Sequence, residues 1–275
     1  MPMGFPVEAF YTGLDYCAKS EDIFVCSYPK CGTTWLQNVV YLILNDGVPL
    51  SPNQFLPRLF PHLEEVGKAI CNQLPTPRLI KTHLPFSITP HNSKARYLYI
   101  ARNPFDCAVS FFHHTRGFPQ HYDFLDGEFE DFFECFITGE VDFGDYFDNL
   151  IPWYKRKDDK NILFITYESM KADSYRSIMA IGDFLGVEGF KNKEMIDSII
   201  KYSSFEVMQQ NQTRWASLRS ETVEPFIRKG IVGDWVNYFT PKQTRRLVEK
   251  FFHKTKGTGI DNLWLDVLES ANKNT

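Results

Sequence analysis

Nine residues, Ser27-Tyr28-Pro29-Lys30-Cys31-Gly32-Thr33-Thr34-Trp35, constrain the fold of this chain more than any other stretch. Before them, Ile23-Phe24-Val25-Cys26 is a short apolar run of the kind that forms a buried strand, and after them residues 35–44 carry apolar side chains at helical spacing. Strand therefore passes to helix through a turn holding a lysine, a glycine and two threonines. A helix that starts there leaves its first N–H groups without intrahelical partners, and its dipole favours negative charge at that end. Such a turn can hold phosphate. Lys30 precedes Gly32, so the order is not that of the G-x-x-x-x-G-K-[ST] loop, and an ordinary capped turn competes as a reading of this stretch alone.

Three further apolar runs, Arg78-Leu79-Ile80-Lys81-Thr82-His83, Arg96-Tyr97-Leu98-Tyr99-Ile100-Ala101-Arg102 and Asn161-Ile162-Leu163-Phe164-Ile165-Thr166-Tyr167, read as strands suited to a central position. Helical patterns follow the last two, over 104–114 and over 175–185 with Gly186 as a C-cap. This alternation predicts an α/β fold: one domain over 1–275 with a central parallel sheet flanked by helices, large enough at 43% hydrophobic residues to bury a substantial core. Ligands of such sheets gather at the carboxyl ends of the strands, where Lys30, Lys81, His83 and Arg102 would converge. The segment 121–146, rich in Phe, Asp and Glu without clean periodicity, is expected to form an irregular helical lid or surface excursion.

A formal net charge of −4 argues against a broad nucleic-acid footprint, so any anion must be met by local cations. No segment has the apolar length to span a bilayer, and Met1-Pro2-Met3-Gly4-Phe5-Pro6 lacks a basic region followed by an apolar core. A soluble cytoplasmic protein with no membrane partner is the expectation. The six cysteines form no C-x-x-C pair or Cys/His cluster, so reduced thiols and no metal are expected. Cys31 stands apart, since a helix N-terminus beside a lysine is where thiols become reactive.

Lys81-Thr82-His83-Leu84-Pro85 ends its strand at a proline, and residues two apart share a face, so Lys81 and His83 point to one spot. An imidazole there suits a general base; a histidine bonded beneath a loop is the alternative. In Arg102-Asn103-Pro104-Phe105-Asp106 the arginine either reaches a common anion with Ser110 or pairs with Asp106. Arg228-Lys229-Gly230-Ile231-Val232-Gly233-Asp234-Trp235 sets two cations before a glycine pair, a pattern that lets backbone N–H groups approach a phosphate.

Taken in order, these four blocks resemble the signature blocks of the cytosolic sulfotransferases, and the likeness covers nearly the whole chain. The resemblance implies 3′-phosphoadenosine 5′-phosphosulfate (PAPS) as cofactor, PAP as its product, no metal, and a P-loop-like phosphosulfate-binding loop formed by Lys30, Cys31, Gly32, Thr33, Thr34 and Trp35. It further implies that Arg102, Ser110, Arg228, Lys229 and Gly230 meet the 3′-phosphate, that Trp35, Phe205 and Ile227 flank the adenine, and that Tyr167 and Ser203 contact the nucleotide. His83, Lys30 and Lys81 would be catalytic, the imidazole taking a proton from an acceptor hydroxyl while the lysines stabilise developing charge.

The acceptor pocket implied by the resemblance draws on Phe10, Tyr11, the Phe60-Pro61-His62-Leu63-Glu64-Glu65 stretch, His83, His114 and residues near Trp215. Its histidines and carboxylates suggest a small phenol carrying an amine, catecholamine-like, with Glu64 or Glu65 pairing the ammonium; both glutamates facing solvent is the alternative. Two departures stand out. The family commonly has serine where Cys31 stands, replacing a hydroxyl that would restrain the lysine with a weaker thiol donor. The family dimer motif aligns with Val236, Thr240, Pro241 and Arg245 and keeps only the threonine, so a monomer or weak homodimer is expected. A small-molecule or nucleoside kinase would share the sheet but should carry the Walker order and a magnesium carboxylate; a non-catalytic nucleotide-binding module would keep the arginines and lose the base.

Overall fold

Alternate residues of a strand face opposite ways, and here both faces of the sheet are apolar. In the computed structural model, which describes residues 5–189, 192–215 and 225–273, the strands are β1 (Asp22–Cys26), β2 (Arg78–Thr82), β3 (Arg96–Ala101) and β4 (Ile162–Thr166). They form one parallel sheet in the order β2-β1-β3-β4. Phe24 and Cys26 of β1 with Tyr97 and Tyr99 of β3 feed one core layer, and Ile23, Val25, Leu98 and Ile100 feed the other. The first layer is aromatic: Phe24 stacks on Tyr97 with ring centroids 4.9 Å apart, and Tyr99 on Trp153 at 5.2 Å. Cys26 lies opposite Thr82 and Tyr99, and Ala101 opposite Thr166, so the four carboxyl ends finish side by side.

Local chemistry sets the helix starts behind these ends. The helix Thr33–Leu44 follows β1 and buries Leu36, Val39, Val40 and Ile43. The helix Pro104–Arg116 has proline at its first position and the Asn103 side chain accepting from the Asp106 N–H at 2.9 Å. The helix Ser174–Leu185 is capped by Asp173 and ends at Gly186 in the left-handed region.

The 121–146 segment departs from expectation. Its middle is a regular helix, Phe129–Thr138, that buries Phe129, Phe132, Phe133 and Phe136. These stand at i, i+3, i+4 and i+7, the stripe of a core-facing helix; Phe124 and Phe143, which lie outside the helix, obscured the period in the sequence. Among the described residues no helix is long and apolar enough to cross a membrane.

Candidate active site

At the carboxyl ends of the strands lies a cavity of about 420 Å³ whose wall draws on the segment following every strand of the sheet. Lys30 leaves β1 with φ +68°, and Gly32 caps the next helix with φ +105°. A Cβ on Gly32 would sit 2.8 Å from the Tyr167 ring beyond β4, so the close approach admits only glycine. Thr33, Thr34 and Trp35 line the cavity above this turn, with the Thr33 hydroxyl held 2.7 Å from that of Ser27. The Lys30 ammonium lies 4.2 Å over the Phe226 ring and 3.4 Å from His114 Nδ1.

His83, just past β2, is pinned on its ring and on its backbone. Its Nδ1 lies 2.8 Å from the Ser27 carbonyl oxygen, a group that only accepts, so Nδ1 carries the proton and Nε2 keeps its lone pair. Its N–H donates to Glu64 Oε1 at 2.6 Å, and its carbonyl accepts from Asn149 Nδ2 at 2.8 Å. Burial pushes the His83 imidazole well below the usual histidine value, reinforced by Lys81 and His62. Burial likewise lowers the Lys81 ammonium, opposed by Glu65 and Glu64. Both side chains line the cavity, as their shared face required.

The third group of cations gathers from β3 and from the 226–231 stretch. Arg102 donates to the Ile231 carbonyl at 2.9 Å, lies 4.4 Å over the Tyr167 ring and 4.0 Å from Asp106, yet faces the cavity beside Ser110. Ion pair and anion-facing cation are thus one arrangement. Asp106 also accepts from the Gly233 and Trp235 N–H groups at 2.8 and 3.1 Å, fastening the glycine loop to the Pro104–Arg116 helix. Asp234 binds Arg228 at 2.6 Å and Lys229 at 2.8 Å. Burial alone would raise its carboxyl, but Lys229, Arg228 and Asn237 outweigh burial and hold it at about 2. Gly230, at φ +63°, packs so tightly on Phe205 that a Cβ would meet that ring at 2.3 Å. Ser203, Phe205 and Ile227 complete this end.

A nucleotide with two anionic ends fits these donors. Among the described residues Arg102 Nε and Trp35 Nε1 are buried without hydrogen-bond partners, and Lys30, Lys81, Arg102, Arg228 and Lys229 all line the cavity.

Four expected site residues lie elsewhere. Cys31 turns into the core, its Sγ 3.7 Å from that of Cys107, so it does not line the cavity and is not an accessible thiol. Glu64 is 1% exposed and bonds the His83 N–H instead of facing the cavity or solvent; Glu65, its neighbour, lines the cavity with Oε2 3.8 Å from His62 Nδ1. Burial would raise the Glu64 carboxyl, yet His62 and the His83 N–H bring it below the usual glutamate value. Phe10 packs against Tyr11, which is 63% exposed, and neither lines the cavity. Phe5 takes that place, edge-on to His62 at 5.5 Å.

His62 and His114 line the cavity with Phe118, His121, Tyr122 and Phe143, four residues the motifs did not flag. Phe143, at φ +64°, sits with its ring 5.2 Å from that of His83. Trp215 lines the wall as well, while its neighbours 216–224 lie outside the described residues.

Comparison with known proteins gives the same reading. The sulfotransferase domain model matches residues 20–259. Sulfotransferase 1C2 of Rattus norvegicus is 36% identical over 259 residues, covering 89% of this chain and 86% of that protein. The amine sulfotransferase of Oryctolagus cuniculus is 34% identical over 273 residues, covering 94% and 89%. The crystal structure of mouse sulfotransferase SULT7A1 complexed with PAP superposes with a TM-score of 0.77 at 32% identity, covering 97% of this chain and 92% of that one. The kinase and the non-catalytic module are thereby set aside. Cations lining a strand-end cavity, a domain match over most of the chain and a solved neighbour complexed with PAP make this chain a member of the sulfotransferase family and a PAPS-dependent enzyme.

Proposed function

We propose that this sulfotransferase acts on a small phenol bearing an amine, with His83 as the base. The observation that carries the reading is the 2.8 Å contact between His83 Nδ1 and the Ser27 carbonyl, which leaves Nε2 as the proton acceptor inside the cavity. When bound, PAPS supplies the sulfuryl group and departs as PAP. His83 Nε2 takes the proton of the acceptor hydroxyl as its oxygen bonds to sulfur. Lys30 and Lys81 offset the charge that builds on the leaving and equatorial oxygens, and Arg102, Ser110, Arg228, Lys229 and the Gly230 backbone hold the 3′-phosphate. Thr33, Thr34 and the N–H groups of the helix start hold the 5′ end, and Trp35, Phe205 and Ile227 flank the base, with Tyr167 and Ser203 beside them.

The acceptor end is aromatic on Phe5, Phe118, Tyr122 and Phe143, which suits a phenol ring, and Glu65 supplies a carboxylate for an ammonium. That one of its relatives is an amine sulfotransferase favours the same class. We further infer one domain over the whole chain, a cytoplasmic location and a monomer or weak homodimer. Thr240, the one residue kept of the dimer motif, caps the helix Pro241–Thr255 by accepting from the Gln243 N–H at 3.3 Å.

The test is turnover of labelled PAPS with matched neutral phenols and phenolic amines. Glu65→Gln is expected to cut kcat/KM for the amine about 10-fold, the weight of one charged hydrogen bond, and to leave the neutral phenol within about twofold. Equal losses on both would exclude Glu65 as the amine partner.

A further inference from the structure

We propose that Glu64 is a positioning residue for His83, holding the backbone of residue 83 so that Nε2 is presented to the acceptor. The proposal rests on the reading of His83 as the base. β2 ends at Thr82, so the main-chain groups of His83 lie beyond the end of the strand and need other partners. They find them in side chains: the N–H bonds Glu64 Oε1 at 2.6 Å, and the carbonyl accepts from Asn149, itself held through the Tyr99 hydroxyl at 2.8 Å. The ring is fixed separately, through the Ser27 carbonyl. Glu64 is therefore one of the three anchors that set where the imidazole sits.

The surroundings of Glu64 differ from those of the other buried carboxylates. Asp22, Asp106 and Asp234 each have an arginine within 4.0 Å. Among the described residues Glu64 has no arginine within 4.0 Å: His62 Nε2 lies 3.4 Å away, the Lys81 ammonium acts on it electrostatically, and its Oε2 is buried without a hydrogen-bond partner. Desolvating a carboxylate for so few contacts is costly, and its shortest bond goes to the residue that carries the base. The lowered Glu64 carboxyl keeps it an acceptor at neutral pH. Sequence spacing hid this role, because Glu64 and Glu65 are adjacent and only their directions separate them.

The experiment is a double-mutant cycle on kcat, with PAP affinity measured by titration as the check on the nucleotide end. Glu64→Ala is expected to lower kcat about 100-fold, the scale of a misplaced catalytic group, with PAP affinity within about twofold of the parent. Glu64→Gln, whose amide oxygen can accept the same bond, is expected to stay within about threefold of the parent. In a His83→Ala background, adding Glu64→Ala is expected to change the residual rate less than about twofold. If Glu64→Ala does not fold, Glu64→Asp, one methylene short, is expected to lose about 10-fold in kcat. The proposal is overturned if the Ala and Asp variants turn over like the parent, if Glu64→Gln is as poor as Glu64→Ala, or if the two losses multiply in the double variant. Full turnover by His83→Ala alone would instead remove the base assignment, an outcome the cycle reads separately.

Discussion

The Asp234 carboxylate accepts a 2.6 Å hydrogen bond from the Arg228 guanidinium, six residues back along the same glycine-containing loop. Lys229 joins it at 2.8 Å, so one carboxylate collects both cations of the block before any phosphate arrives. Asp234→Ala is expected to scatter that pair and to weaken PAP binding about 10-fold, the loss of a preformed charged contact, with kcat nearly unchanged. The Asp234 carboxyl is held at about 2, below its ordinary 3.8, so its contribution is complete above pH 3.8 and is lost as pH falls through about 2. Isothermal titration with PAP between pH 5 and 8 should therefore show no step from this group.

With His83 as the proposed base, its neutral imidazole is expected to set the pH profile of the free enzyme. Its proton affinity lies well below that of an ordinary histidine, chiefly through burial. The base therefore stays unprotonated as pH falls through 6.5, and kcat/KM is expected to hold level from pH 8 through 6.5, with its acid limb lying below that. Stability has the same sign. Below 6.5 the unfolded chain takes up this proton before the folded one does, so the His83 contribution declines as the solution is acidified. An acid limb centred at or above pH 6.5 would contradict the neutral ring.

Gly230→Ala tests the close packing on Phe205, at the end of the cavity proposed to hold the nucleotide. A Cβ there meets the Phe205 ring at 2.3 Å on a backbone with φ +63°, so both the loop and the ring must shift. A KM for PAPS raised about 10-fold, with melting lowered by the equivalent of about 1–2 kcal/mol, is the expected result in steady-state kinetics and thermal unfolding.

The thiols divide by burial. Cys17 and Cys135 are exposed, and Cys26, Cys31, Cys71 and Cys107 are buried. Alkylation of the native protein is expected to stop at two adducts, on Cys17 and Cys135, as read by intact mass and peptide mapping. Cys31→Ser should leave kcat within about twofold, since the side chain faces Cys107, and should cost about 1–2 kcal/mol of stability from burying a hydroxyl. A large change in kcat would restore the view that this side chain restrains Lys30.

The strands and their strand-end cations were legible because each signal is local. Apolar residues fill runs of five or six positions, Lys81, His83 and Arg102 each stand next to the last residue of a strand, and Lys30 follows the end of β1 by four residues. The acceptor end was harder to read. His62 was found, but its neighbour Glu64 points inward; Phe5 lines the cavity where Phe10 and Tyr11 do not. The phenylalanine stripe of Phe129–Thr138 was present in the sequence and was lost among flanking aromatics and acids.

By itself the sequence determined the parallel sheet, the anion-holding turn and the identity of the cations, since periodicity, caps and glycine positions act over a few neighbouring residues. Only the tertiary structure decided which of two adjacent glutamates enters the cavity, that Cys31 turns to the core, and that His83 presents Nε2. Those outcomes depend on side-chain directions fixed by partners far along the chain, as Asn149 is from His83 and Ser27 is from the imidazole it orients.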